Sequence, residues 1–136
     1  ALGAVPWDGL ICTLLGARKN EVYAALLDGR TASAIRPAGC HPVDSLAPLF
    51  ENTKGSVLVL GDAAGLYRDA LDSVLGDRAV IAPENRRLPR ASAVCEMAAR
   101  LLELGQTTSP VELRPAYLRP SEAEAKWESR QKRASC

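Results

Sequence analysis

A mixed α/β fold is predicted, opening with an antiparallel meander and continuing as alternating helices and strands. Two patterns predict it. Short apolar, β-prone runs separated by tight turns fill residues 10–36. From residue 45 onward, stretches with helical periodicity alternate with brief apolar runs. The length of 136 residues suits one domain. Such a domain buries roughly two-thirds of its unfolded surface and needs no disulfide or metal staple.

The first strand is expected over residues 10–15, an apolar run. Arg18-Lys19-Asn20 is short enough for a hairpin link to a second strand over 21–27, where Val22 and Tyr23 carry strand propensity. Asp28-Gly29 is a hairpin turn signal, with Gly supplying positive φ. A third strand is expected over 31–36, stopped by Pro37 and Gly39. A short helix is expected over 45–52, capped by Asp44 or Ser45, with Pro48 tolerable only near its start. Residues 56–60, Ser-Val-Leu-Val-Leu, read as a buried strand ending at Gly61-Asp62.

The helix over 66–75 places Leu66, Tyr67, Ala70, Leu71, Val74 and Leu75 on one stripe, with Gly76 as C-cap. Residues 79–82 form a short strand stopped by Pro83. A last helix over 91–104 carries Val94, Met97, Ala98, Leu101 and Leu102 on one face, and Gly105 stops it. The order β-β-β-α-β-α-β-α gives a mixed sheet with helices on its faces. That is the ribonuclease H-like arrangement, and also the core of each half of an actin-like ATPase fold. Residues 1–110 make this lobe, and 111–136 an extended segment followed by a charged helix.

Charge and cysteine usage narrow the function classes. The net charge is +1, so no global field draws in nucleic acid or an anionic membrane. Cys12, Cys40, Cys95 and Cys136 contain no Cys-x-x-Cys pair, and His41 is the sole histidine, so no metal site is expected. Isolated cysteines favour reduced thiols in a cytoplasmic protein. No apolar run approaches the roughly 20 residues of a membrane span.

A two-metal nuclease needs gathered carboxylates, one of them on the first strand, and that strand has none. A thiol protease would have to use Cys40 and His41, but neighbours on an extended chain point to opposite sides. The segment Gly61-Asp62-Ala63-Ala64-Gly65 joins a strand to a helix, where open α/β sheets bind ligands. Gly61 and Asp62 are therefore weak cofactor candidates. The alternative is that Asp62 caps the helix. Arg86, Arg87 and Arg90 share one sheet end and could meet RNA phosphate or a partner carboxylate; a solvated loop is the simpler reading. No aromatic residues interleave there, so base stacking is unsupported.

The tail is more specific. Pro115 and Pro120 hold an extended segment, and Ser121-Glu122-Ala123-Glu124 is a capping box. The following helix has Trp127 as its one large apolar anchor and is marginal alone in water. Two readings stay open. Either Trp127 pins the helix to its own domain, or Tyr117, Leu118, Arg119, Glu122, Glu124 and Trp127 contact a partner.

Tyr117-Leu118-Arg119 followed by Glu122-Ala123-Glu124 resembles the C-terminal signature of the TsaB (YeaZ-like) family. Ala17-Arg18-Lys19-Asn20-Glu21-Val22-Tyr23 is similar to that family's Asp-Ala-Arg-x-Gly-Glu-Val-Tyr hairpin, with Gly16 in place of the Asp and Asn20 in place of the Gly. Asn tolerates positive φ, so the turn can survive. Gly61-Asp62 and the helix from Ala91 also fall in family order.

The resemblance implies a part in making threonylcarbamoyladenosine in tRNA, in a family often labelled glycoprotease-like. It implies a non-catalytic subunit that partners the catalytic paralogue TsaD and the ATPase TsaE, with tRNA contacted indirectly and no membrane. A homodimer is a further expected assembly. ATP or ADP is implied only at the complex with the paralogue, and no cofactor in this part. Since the resemblance covers only the C-terminal half of a family member, a fragment lacking an N-terminal lobe is expected. The competing expectations are a glycoprotease-type peptidase and a standalone interaction module.

Overall fold

The computed structural model describes residues 7–118 together with Trp127 and Gln131. Strands β1 (Leu10–Gly16), β2 (Glu21–Asp28) and β3 (Ala34–Pro42) form the meander. Two 3₁₀ turns follow, Val43–Ser45 and Ala47–Phe50. Then come β4 (Val57–Leu60), α1 (Ala63–Leu66), α2 (Arg68–Leu75), β5 (Ala79–Ile81), α3 (Glu84–Arg87) and α4 (Ala91–Glu103). The sheet order is β3-β2-β1-β4-β5. β2 runs antiparallel to both β1 and β3, whereas β4 is parallel to β1 and to β5. This is the predicted ribonuclease H-like mixed sheet.

The two turns of the meander are built differently. Asn20 adopts φ of 61°, so it does take the left-handed place expected of it. At the second turn the left-handed residue is Ala32, φ 60°, rather than Gly29. Gly29 serves close approach instead: its N–H donates to the Gly9 carbonyl at 2.8 Å, and a Cβ there would crowd the backbone of Trp7 and Gly9. Asp28 organises the turn. Its Oδ1 accepts the Thr31 N–H at 2.8 Å, the Thr31 hydroxyl at 2.9 Å and the Arg30 N–H at 3.0 Å. These bonds, that of the Thr31 N–H foremost, hold the Asp28 carboxyl below its ordinary value.

Three boundaries differ from expectation. β3 begins at Ala34 and runs through Pro37 and Gly39 to Pro42. It is an edge strand, so Pro37 can face outward without breaking a ladder, and a register shift opposite Ala24–Leu26 absorbs the irregularity. The helix expected over 45–52 is two 3₁₀ turns, consistent with Pro48 interrupting the α-helical ladder. The helix expected from Leu66 starts at Ala63 and breaks at Tyr67, φ −109° and ψ 33°. Leu66 lies before the break, off the stripe of Leu71 and Leu75, and is exposed. Gly76 (φ 54°) and Gly105 (φ 68°) end their helices as expected.

Alternation sorts the sheet into two unequal faces. Cys12, Leu14, Val22, Ala24, Leu26, Val57 and Val59 meet Leu46, Leu49, Phe50, Leu71 and Leu75 in the main core. Ile11, Leu58, Leu60 and Ala82 form a thin second cluster with Trp7 and Leu27. Leu15 and Val80 remain partly open to solvent. No residue of α4 is buried, although its amphipathic periodicity is intact.

Candidate functional site

β1 and β4 are parallel neighbours, with Thr13 opposite Leu60, so the loops after both strands emerge side by side. Here the Asp62 Oδ1 accepts the Gly16 N–H at 2.9 Å. The expected cap is therefore corrected. Asp62 sits at the N-cap of α1 with helical φ and ψ, makes no side-chain bond to that helix, and instead ties β4 to β1. Gly61 has φ of 112°, and a Cβ on it would collide with the Leu14 carbonyl. Its N–H donates to the Arg87 carbonyl at 2.9 Å and is not offered to a ligand. At Gly16 a Cβ would point at the Asp62 carboxylate, 3.7 Å from Oδ2. A carboxylate at position 16 would face Asp62 in like-charge conflict.

Beneath these loops lies a cavity of about 410 Å³. Thr13, Leu15 and Leu60 of the thin sheet face form its floor, and Arg86 to Arg90 and the first turns of α4 form its other side. The arginines singled out in the sequence are thus brought together. The floor was not anticipated, although period-two alternation on β1 already placed Thr13 and Leu15 on one side. Gly65 was also missed: a Cβ there would strike the Arg87 guanidinium.

Among the described residues, Cys40 and Cys12 differ in setting. Cys40 and His41 are consecutive residues of edge strand β3, both half-buried. Burial pushes the Cys12 thiol up to about 12, which removes the thiolate at neutral pH. Linkage gives this a pH signature. The raised value stabilises the fold below about pH 9, and that contribution is lost as pH rises toward 12. Urea melts of the natural chain should lose up to about 1.4 kcal/mol per pH unit in that window relative to Cys12→Ala. Parallel pH profiles for the two would refute it. Among the described residues, no group of three or more His, Cys, Asp or Glu could hold a metal ion. No helix of the described residues is long and apolar enough to cross a membrane.

In the tail, Tyr117 is 84% exposed, Trp127 59% and Leu118 44%. Arg119, Glu122 and Glu124 lie outside the described residues.

No family model matches the chain. It is 31% identical over 132 residues to the tRNA threonylcarbamoyladenosine biosynthesis protein TsaB of Bacillus subtilis (strain 168). Over the part it spans, the chain is similar in sequence to the TsaB (YeaZ-like) family. The match takes in 93% of this chain and 54% of the Bacillus TsaB, so the chain spans about half the length of that relative. The TsaB-like fold also matches a Pseudomonas aeruginosa crystal structure described as an uncharacterized protein with similarity to peptidase YeaZ. The TM-score is 0.62 at 18% identity, covering 82% of this chain and 50% of that one. At that identity the likeness shows the fold.

Proposed function

We propose that this TsaB-like chain is a non-catalytic, partner-binding part of the machinery that makes threonylcarbamoyladenosine in tRNA. The observation that carries it is the match to TsaB along nearly the whole chain. Two features of the molecule support the non-catalytic role. The thiol–imidazole pair a peptidase would use is split across an edge strand, and Cys12 is held as a neutral thiol. The partners proposed are the catalytic paralogue TsaD and the ATPase TsaE, with ATP or ADP bound at the paralogue complex. A cytoplasmic setting belongs to the same proposal.

Partner contact is assigned to the tail, where Tyr117, Leu118 and Trp127 are open. Large aromatics at solvent-facing positions are the residues most able to anchor an interface. The test is co-purification with TsaD, followed by a modification assay on tRNA. Tyr117→Ala with Trp127→Ala should weaken capture by about tenfold or more. Their effect on urea stability should stay within about 0.5 kcal/mol. Undiminished capture by the double variant removes the tail from the interface. If the whole protein never binds TsaD and its loss leaves the modification intact, the proposed role is wrong.

A further inference from the structure

The arginine-lined cavity is not used by the proposed function. Four observations describe what it would take. Arg86, Arg87 and Arg90 line it, and the carboxylate on its wall, Glu96, is already engaged by Arg100 at 2.9 Å. Arg87 is half-buried, and among the described residues its guanidinium meets no acceptor; only its backbone carbonyl is used, by Gly61. Partly withdrawing a cation from water without a partner is costly, so an anion there is favoured. The fold also keeps room for this side chain, since a Cβ on Gly65 would occupy the guanidinium's place. Arg90 is held nearby by a bond from Nη2 to the Asn85 carbonyl at 2.9 Å.

The floor is apolar, made by Leu15 and Leu60, and Leu88 adds an apolar residue to the arginine side. The volume of about 410 Å³ is that of a small-molecule site. Planar guanidinium forks match phosphate oxygens in pairs. Among the described residues no aromatic lines the cavity, and its size suits one compact molecule rather than a nucleic-acid strand. We propose that the cavity binds a phosphate-bearing small molecule, with its phosphate on Arg87 and Arg90 and an apolar body against Leu15, Leu60 and Leu88.

Calorimetric titration of the full 136-residue chain with phenyl phosphate tests this, with phenol and benzoate as controls. Saturable binding of phenyl phosphate, at least about tenfold tighter than either control, is expected, since planar guanidinium forks pair with phosphate oxygens through charge-assisted bonds. Arg87→Gln with Arg90→Gln should weaken it about a hundredfold. Arg90→Gln alone, at an exposed position, should weaken it about tenfold without changing the circular dichroism spectrum, which keeps the test decisive if the double variant misfolds. Gly65→Ala should weaken binding by displacing the Arg87 head. No saturable binding, equal affinity for benzoate, or unchanged affinity in Arg90→Gln and the double variant would each overturn the proposal.

Discussion

Gly61→Ala should cost about 3 kcal/mol or more of folding stability, read as a drop in the urea midpoint at unchanged slope. The residue has φ of 112°, a region that L side chains rarely adopt. Its missing Cβ is also the space taken by the Leu14 carbonyl of the neighbouring strand. Relief by local movement is blocked on the other side, because the Gly61 N–H is fixed to the Arg87 carbonyl at 2.9 Å. Shifting the backbone would part β4 from β1 where Asp62 binds Gly16. The expected loss is a large share of the roughly 5–15 kcal/mol that a domain possesses. Gly55→Ala is the control: it too has positive φ (84°), but a Cβ there meets nothing within 4 Å, so only the conformational cost of about 1 kcal/mol should appear. Equal midpoints for the two variants would refute the steric argument.

The second large effect concerns α4. Its apolar stripe is exposed, with Val94 at 66%, Met97 at 50% and Leu101 at 40%. A thirteen-residue helix is marginal in water unless its apolar side is covered. The stripe follows a heptad-like spacing from Val94 through Met97 to Leu101, which two copies can satisfy reciprocally. The 136-residue chain is therefore expected to self-associate at high micromolar concentration, giving twice the monomer mass by light scattering. Met97→Glu with Leu101→Glu should raise the dissociation constant about a hundredfold, close to 3 kcal/mol. A natural chain that stays monomeric throughout, or a charged variant that associates equally well, would sink this.

Local chemistry was legible where local forces decide. The apolar runs of β1, β2 and β4, the Asn20 turn and the Gly76 and Gly105 stops all depend on neighbours in sequence, and each stands where expected. What escaped is what distant groups decide. Pro37 is a local stop signal for β3, but an edge position forgives the missing N–H. Asp62 looked like a helix cap because capping is a short-range habit. The Gly16 amide, 46 positions away, claims it instead. The Tyr67 break is invisible to periodicity, because Leu66 continues the apolar stripe in sequence. The arginine run was visible as charge. Its cavity required the β1–β4 pairing and the vacancy at Gly65, neither of which has a signature in one sequence.

β1 is paired on both sides, and the two pairings close loops of very different length. Against β2, Gly16 meets Val22 across a tight turn; against β4, Leu10 meets Val57 only after the chain has travelled round β3. Closing the longer loop carries the greater entropic penalty, so β1 should acquire its two partners in sequence rather than together. The meander is the early scaffold, and β4 arrives on a strand edge that must stay unpaired until then. During that interval β1 offers a bare apolar edge to any other chain. The refolding yield of this protein should therefore depend on its concentration before β4 docks, and little on it afterwards.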